Sequence, residues 1–199
     1  MNTKEIDLNV GIVEAIFQRR AVRKYTQERV EPKLIKQLLL AAVQAPSTGN
    51  QQPWAFGVFH GRKRLHDYSE RAKSHLMATY PPSFELHSRT ELYGDPNYNI
   101  FHGANVLIVI YAKQGRINPS EECCLAAENL MLAAFGLGLG TCPIGYARPW
   151  LDLFETKREM EVPENYRAVF PVVVGYRAGV PPAVPREEPD VVCWRWDDD

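Results

Sequence analysis

A chain of 199 residues, 45% of them hydrophobic and 24% charged, can bury a substantial core in one domain without disulfides or metals as staples. Its formal net charge of -1 gives no global attraction to nucleic acid or anionic membranes, so any anion site must come from local clustering. The first residues, MNTKEIDLNV, lack the basic and apolar regions of a secretory signal, which sets the cytoplasm as the expected compartment. Cys123, Cys124, Cys142 and Cys193 show no C-x-x-C spacing and read as reduced, mostly buried thiols and not as a zinc site.

In chain order, Asn9 is a candidate cap for a short helix that carries Val10, Val13 and Phe17 on one face and ends near Gln18. The basic run RRAVRKY follows. Pro32 opens a second helix with an apolar stripe of Ile35, Leu38, Leu39 and Ala42, ended by Pro46, which restricts Ala45. After the polar loop STGNQQP, Trp54 to Phe59 reads as a strand. Leu65, Tyr68, Ala72 and Leu76 then define an amphipathic helix with its basic residues outward. Residues 77 to 101, with Pro81, Pro82 and aperiodic aromatics, read as a long loop or broken helix, and loops of this length are often lids.

VLIVIY, Val106 to Tyr111, has the continuous apolar character of a strand covered on both faces. The next stretch, SEECCLAAENLMLAAFGLGLG, predicts a helix capped by Ser120 and stopped by Gly136, Gly138 and Gly140. Only Glu128 and Asn129 interrupt its apolar surface, so it belongs at a centre. The alanines at 126, 127, 133 and 134 would let another backbone approach, which fits a helix packed on its symmetry mate; a central helix within a monomer fits the same stretch. A membrane span does not, because the run falls short of the ~20 apolar residues required. Pro149 starts a further helix using Trp150, Leu153 and Phe154, and Ala168 to Tyr176 reads as a strand in which Pro171 marks an edge or a bulge. The tail from Gly179 is proline-rich, and its Val191, Val192, Trp194 and Trp196 need a surface to lie on. No repeat or linker divides the chain, so 1 to 199 is read as one domain.

Arg19, Arg20, Arg23 and Lys24 lie together straight after the first helix, a supply of guanidinium and ammonium donors suited to a phosphorylated cofactor. A solvated basic turn or a nucleic-acid patch is the alternative, and the lack of a wider basic stripe weighs against nucleic acid. The loop APSTGNQQPW offers hydroxyls and amides that could match the edge of a heteroaromatic ring. The glycines of GLGLG follow a helix instead of joining a strand to one, so they are no dinucleotide fingerprint; with TCPIG they allow a flat ligand to approach the backbone. The histidines form no recognisable catalytic order, so the chemistry is expected to come from a cofactor.

RRAVRKY, APSTGNQQPWAF, VLIVIYA, LGLGTCPIGY and PVVVGYRAGVPPAVPRE, in that order over most of the chain, resemble the nitroreductase family of FMN-dependent oxidoreductases. The resemblance implies an α+β fold with a central mixed or antiparallel sheet, homodimeric about the long central helix, with FMN at two interface sites. It also implies that Arg19 and Arg20 are phosphate ligands, with Arg186 closing that site, and that Arg23 lies near the pyrimidine edge of the flavin. Pro46, Ser47, Thr48, Asn50 and Gln52 match a loop that reaches the flavin from the other subunit, and Ile144 and Gly145 match the backbone beside its redox-active nitrogen. Ala21 replaces a serine found in many relatives, and Glu128 replaces an uncharged amide. The implied activity carries electrons from NAD(P)H through the flavin to a flat aromatic acceptor; a dimeric flavin protein with another redox reaction, or none, is the alternative.

Overall fold

The computed structural model describes residues 10–79 and 93–196. Its centre is a four-stranded antiparallel sheet of β1 (Trp54–His60), β2 (Val106–Lys113), β3 (Leu139–Pro143) and β4 (Tyr166–Tyr176), in the order β1-β2-β4-β3. Alternation along β2 serves two cores. Val106, Ile108, Ile110 and Ala112 point to one layer and Leu107, Val109 and Tyr111 to the other, which is why the run is apolar without a break.

The first layer is α2 (Pro32–Ala42) and α4 (Pro119–Gly136), with α1 (Ile12–Gln18) lying on α4. The second is α3 (Arg62–Thr79), α5 (Arg148–Leu151) and the segment that carries Tyr93, Ile100 and Phe101. An α+β fold with helices on both faces of an antiparallel sheet is therefore as expected. So are the end of α1 at Gln18, the start of α2 at Pro32 and the strands from Trp54 and Val106; α2 stops at Ala42, short of the Ala45 that Pro46 restricts, and the last strand begins at Tyr166, two residues early.

Several local expectations change. The N-cap of α1 is Gly11, and Asn9 lies outside the described residues. Helix α4 begins one residue before Ser120, with Pro119 at the first helical position and Asn118, in a left-handed conformation, at the cap. Gly136 ends α4 and Gly138 makes the left-handed turn (φ 76°), but Gly140 already belongs to β3, a strand the glycine-rich sequence conceals. The helix expected from Pro149 is broken into α5 and α6 (Phe154–Glu159): Leu153 turns to an extended backbone, and Asp152 before it accepts the Ala168 N–H at 2.7 Å. Pro171 is not on an edge, since β4 lies between β2 and β3; the alternative holds instead, with a bulge at Val169 where Ile110 pairs Phe170 and Tyr111 pairs Ala168.

The alanines of α4 face inward. Ala126, Ala127, Ala133 and Ala134 are buried in the chain's own core, where their small side chains let α2 and the sheet approach. What α4 leaves outside is Glu121, Cys124, Leu125 and Glu128. On α3 one basic residue is not outward: Lys73 is buried, ion-paired to Glu70 at 2.8 Å and donating to the carbonyls of Asp95 (3.1 Å) and Tyr98 (2.8 Å). That bond set anchors the segment from Tyr93 to Phe101, so this part of the expected lid is packed into the second core. Residues 80–92 of it lie outside the described residues.

Candidate functional site

The basic run is stitched to the end of the sheet. Ala21 bridges Thr141 of β3 and Tyr25 bridges Arg177 just beyond β4. Val22 N–H donates to Thr141 O at 2.8 Å, Thr26 N–H to Tyr176 O at 2.9 Å, and the Tyr25 hydroxyl to Val22 O at 2.7 Å. The backbone approach is close enough that a Cβ on Gly140 would stand 2.7 Å from Val22 Cγ2. This anchoring holds the arginines in fixed places despite their being in a loop.

Arg19, Arg20 and Arg177 line one small cleft of about 60 Å³, floored by Met131, Phe135 and Thr141. Arg19 Nε lies 3.4 Å from Glu128 Oε1 on α4. Arg20 Nη1 donates to the carbonyls of Phe17 (2.7 Å) and Arg19 (2.8 Å), so it also caps the end of α1. The buried Nε atoms of both arginines have no hydrogen-bond partner among the described residues. Unused guanidinium donors in a cleft are what an incoming oxyanion would satisfy.

Arg23 lies beyond that cleft and touches two larger spaces. One, of about 340 Å³, is bounded by Lys24 and by the tail at Ala178–Pro182. The other, of about 400 Å³, is lined by Arg23, Tyr98, Ile100, His102, Cys142, Pro143, Ile144 and Tyr146. His102 sits there in a left-handed conformation (φ 55°), its ring 6.3 Å from that of Tyr98. Burial, and then the charge of Arg23, push its pKa down to about 4, so the imidazole is neutral near pH 7. Burial also raises the pKa of the Cys142 thiol, which keeps it protonated. Among the described residues that line this cavity, Arg23 is the one cation.

Ile144 and Gly145 differ in what they offer. The Ile144 N–H is committed to Pro171 O at 2.9 Å. Gly145 starts a short 3-10 turn, so its N–H is of the kind such a turn leaves unpaired, and an added Cβ there would meet nothing within 4 Å.

The loop after α2 is ordered but turned outward. Gln52 N–H donates to Ser47 Oγ at 3.0 Å, Thr48 N–H to the buried Glu122 Oε1 at 2.7 Å, and Gly49, Asn50 and Gln52 all have positive φ. Thr48, Asn50 and Gln52 are exposed, and none of Pro46, Ser47, Thr48, Asn50 and Gln52 lines these three clefts of the same chain. Arg186 is not there either: it is exposed on the tail, with Pro185 O at 3.5 Å. Arg177 stands in the cleft instead. Sequence reading passed over it, although it falls inside the quoted PVVVGYRAG, and it passed over His102 as well. Among the described residues no cluster of metal-ligating side chains occurs, and no helix is long and apolar enough to cross a membrane.

The site thus offers a small cleft lined by three guanidinium groups and, beyond it, a larger cavity of aromatic and small groups that Arg23 also lines. The chain belongs to the nitroreductase family, whose sequence profile matches residues 16–176, and it is an oxidoreductase. It is 30% identical over 170 residues to a protein of Archaeoglobus fulgidus provisionally named an NADH dehydrogenase/NAD(P)H nitroreductase, covering 82% of this chain and 84% of that one. It is 27% identical to a 4-nitrobenzoate reductase of a Nocardioides species, over 91% of this chain and 88% of the other. Among solved structures it is similar to a nitroreductase with bound FMN from Bacteroides fragilis, with a TM-score of 0.75, 26% identity, and coverage of 92% and 96% of the two chains.

Proposed function

We propose that this protein is a homodimeric, FMN-dependent oxidoreductase of the cytoplasm that draws electrons from NADH or NADPH and delivers them to a flat acceptor, a nitroaromatic or a quinone, in a ping-pong cycle. The observation that carries the reading is the clustering of Arg19 and Arg20, whose buried Nε atoms lack a hydrogen-bond partner, near the Arg23-lined cavity, a donor set with charge at one end and flat, apolar volume at the other. These residues fit FMN. Bound there, it supplies reversible two-electron chemistry that no side chain of this chain has to perform.

Arg19 and Arg20 hold the phosphate, aided by Arg186 where the tail reaches a partner. Arg23 holds a positive charge beside the ring's pyrimidine edge, which favours the reduced, anionic state and raises the potential. The Gly145 N–H is the donor free to point at the ring, and the absence of a side chain leaves room for the plane to come close. The neutral His102 and the protonated Cys142 add no competing charge. One cavity serves donor and acceptor in turn, hence the ping-pong order. Pro46, Ser47, Thr48, Asn50 and Gln52 contribute to the partner's flavin, consistent with their outward display.

The test is anaerobic stopped-flow mixing of the purified protein with NADH or NADPH, then with a nitroaromatic or quinone. A yellow protein that bleaches with one donor and recolours with the acceptor is expected. Colourless protein, or flavin that neither nucleotide reduces, would overturn the proposal.

Glu128 bears on the same site. Its carboxylate is half-exposed and shares Arg19 with the incoming phosphate. Glu128→Gln removes that competing anion, and FMN is expected to bind up to about fivefold more tightly, the size of a solvent-screened pair. Equilibrium dialysis at low salt reads the change, and weaker binding would show that Glu128 orients Arg19 instead.

A further inference from the structure

We infer that Arg177 is a third phosphate-binding arginine of this chain, held in place by Gly140 and Phe135. The inference rests on the FMN reading above and goes beyond it, since neither the basic run nor the tail arginine includes this residue.

Arg177 follows β4 directly and bridges Tyr25, so its backbone is part of the same stitched edge that positions Arg19 and Arg20. Its stem runs over Gly140. A Cβ built there would lie 2.9 Å from Arg177 Cγ and 2.7 Å from Val22 Cγ2, so strand β3 can carry no larger residue at that point without displacing one or both. Its guanidinium lies 5.4 Å above the ring of Phe135, which fixes the plane of the head group. Both Phe135 and Arg177 line the small cleft with Arg19 and Arg20.

A cation over an aromatic face needs no hydrogen-bond acceptor, so the contact with Phe135 leaves the N–H donors of Arg177 available. Among the described residues no carboxylate or carbonyl takes them. A partly buried guanidinium with no protein acceptor suits an oxyanion better than a purely packed role would. Charge supports the assignment. Three guanidiniums, Arg19, Arg20 and Arg177, set against the single carboxylate of Glu128, leave a surplus of two positive charges. A phosphomonoester carries about that much negative charge at neutral pH.

Binding of FMN and of riboflavin, which lacks the phosphate, should be measured on the full-length protein by equilibrium dialysis. Arg177→Gln is expected to weaken FMN roughly tenfold to a hundredfold while leaving riboflavin within about twofold, and to flatten the dependence of FMN affinity on salt. Arg177→Lys keeps the stem and the charge but loses the fork, so it should fall between. Equal weakening of FMN and riboflavin by Arg177→Gln would show a packing role and overturn the inference, as would FMN affinity unchanged from wild type. Wild-type protein that takes up neither flavin would overturn the cofactor reading first and this inference with it.

Discussion

Replacing Arg19 with alanine is expected to weaken FMN binding tenfold to a hundredfold and to yield protein that loses its colour on dilution. A charge-assisted hydrogen bond to phosphate is worth ~1.5–3 kcal/mol, and each ~1.4 kcal/mol is a factor of ten in affinity. The substitution also strips Glu128 of its partner, leaving a carboxylate beside the phosphate with nothing to balance it. The loss should therefore lie toward the upper end of the range in Arg19→Ala and toward the lower end in the double variant with Glu128→Gln. Arg23→Ala should behave differently. Arg23 lines the ring-sized cavity and not the small cleft, so its removal should lower the flavin's midpoint potential while more of the cofactor stays bound. Fluorescence titration and spectroelectrochemistry separate the two effects. Full flavin content and an unchanged potential in both variants would remove these arginines from the site.

What could be read in the sequence was what neighbours in the chain decide. Arg19, Arg20 and Arg23 stand within one short run, and β2 is apolar from Val106 to Ala112 because both faces are covered. The misreadings come from contacts made far along the chain. Leu139 to Pro143 carries a glycine and a proline in five residues and has little strand character of its own; it is a strand because β4 and the segment around Ala21 pair with it. The break comes at Leu153, whose backbone is extended, next to the bond between Asp152 and Ala168, and none of these residues signals it locally. The inward alanines of α4 show the same limit: periodicity marks small positions but does not say whether a neighbouring helix or a second chain lies over them. Arg177 and His102 reach the site only through the sheet edge and the segment anchored by Lys73, so no spacing rule would collect them with Arg19.

That correction to α4 changes how assembly should be tested. Ala133 is 5% exposed within a single chain, so Ala133→Arg would break the chain's own core and would report on folding before it reported on pairing. The surfaces left uncovered lie elsewhere. On α1, Ile12, Val13, Ile16 and Phe17 are exposed, Phe17 by 73%; Leu125 of α4 is exposed by 48%; and on the tail Val192 and Trp196 are exposed by 94% and 75%. Trp194 and Trp196 stack on each other, with ring centroids 6.5 Å apart, but have little else to cover them. So much apolar side chain outside a single chain calls for a partner, and if α1, α4 and the tail all take part the interface should exceed ~2,000 Å², the obligate kind. The native protein should then sediment as a dimer of its 22.6 kDa chain, and its unfolding midpoint should rise with protein concentration by mass action. Phe17→Asp combined with Leu125→Arg places charge on both exposed helices without touching a buried position. It is expected to shift the protein to monomer and to cost most of its bound FMN, because the loop from Pro46 to Gln52 would no longer reach a second site. Deleting Asp197 to Asp199 should change neither. A double variant that remains dimeric and yellow in sedimentation would place the interface on another face, and a wild-type monomer carrying full FMN would show that one chain suffices to hold the cofactor.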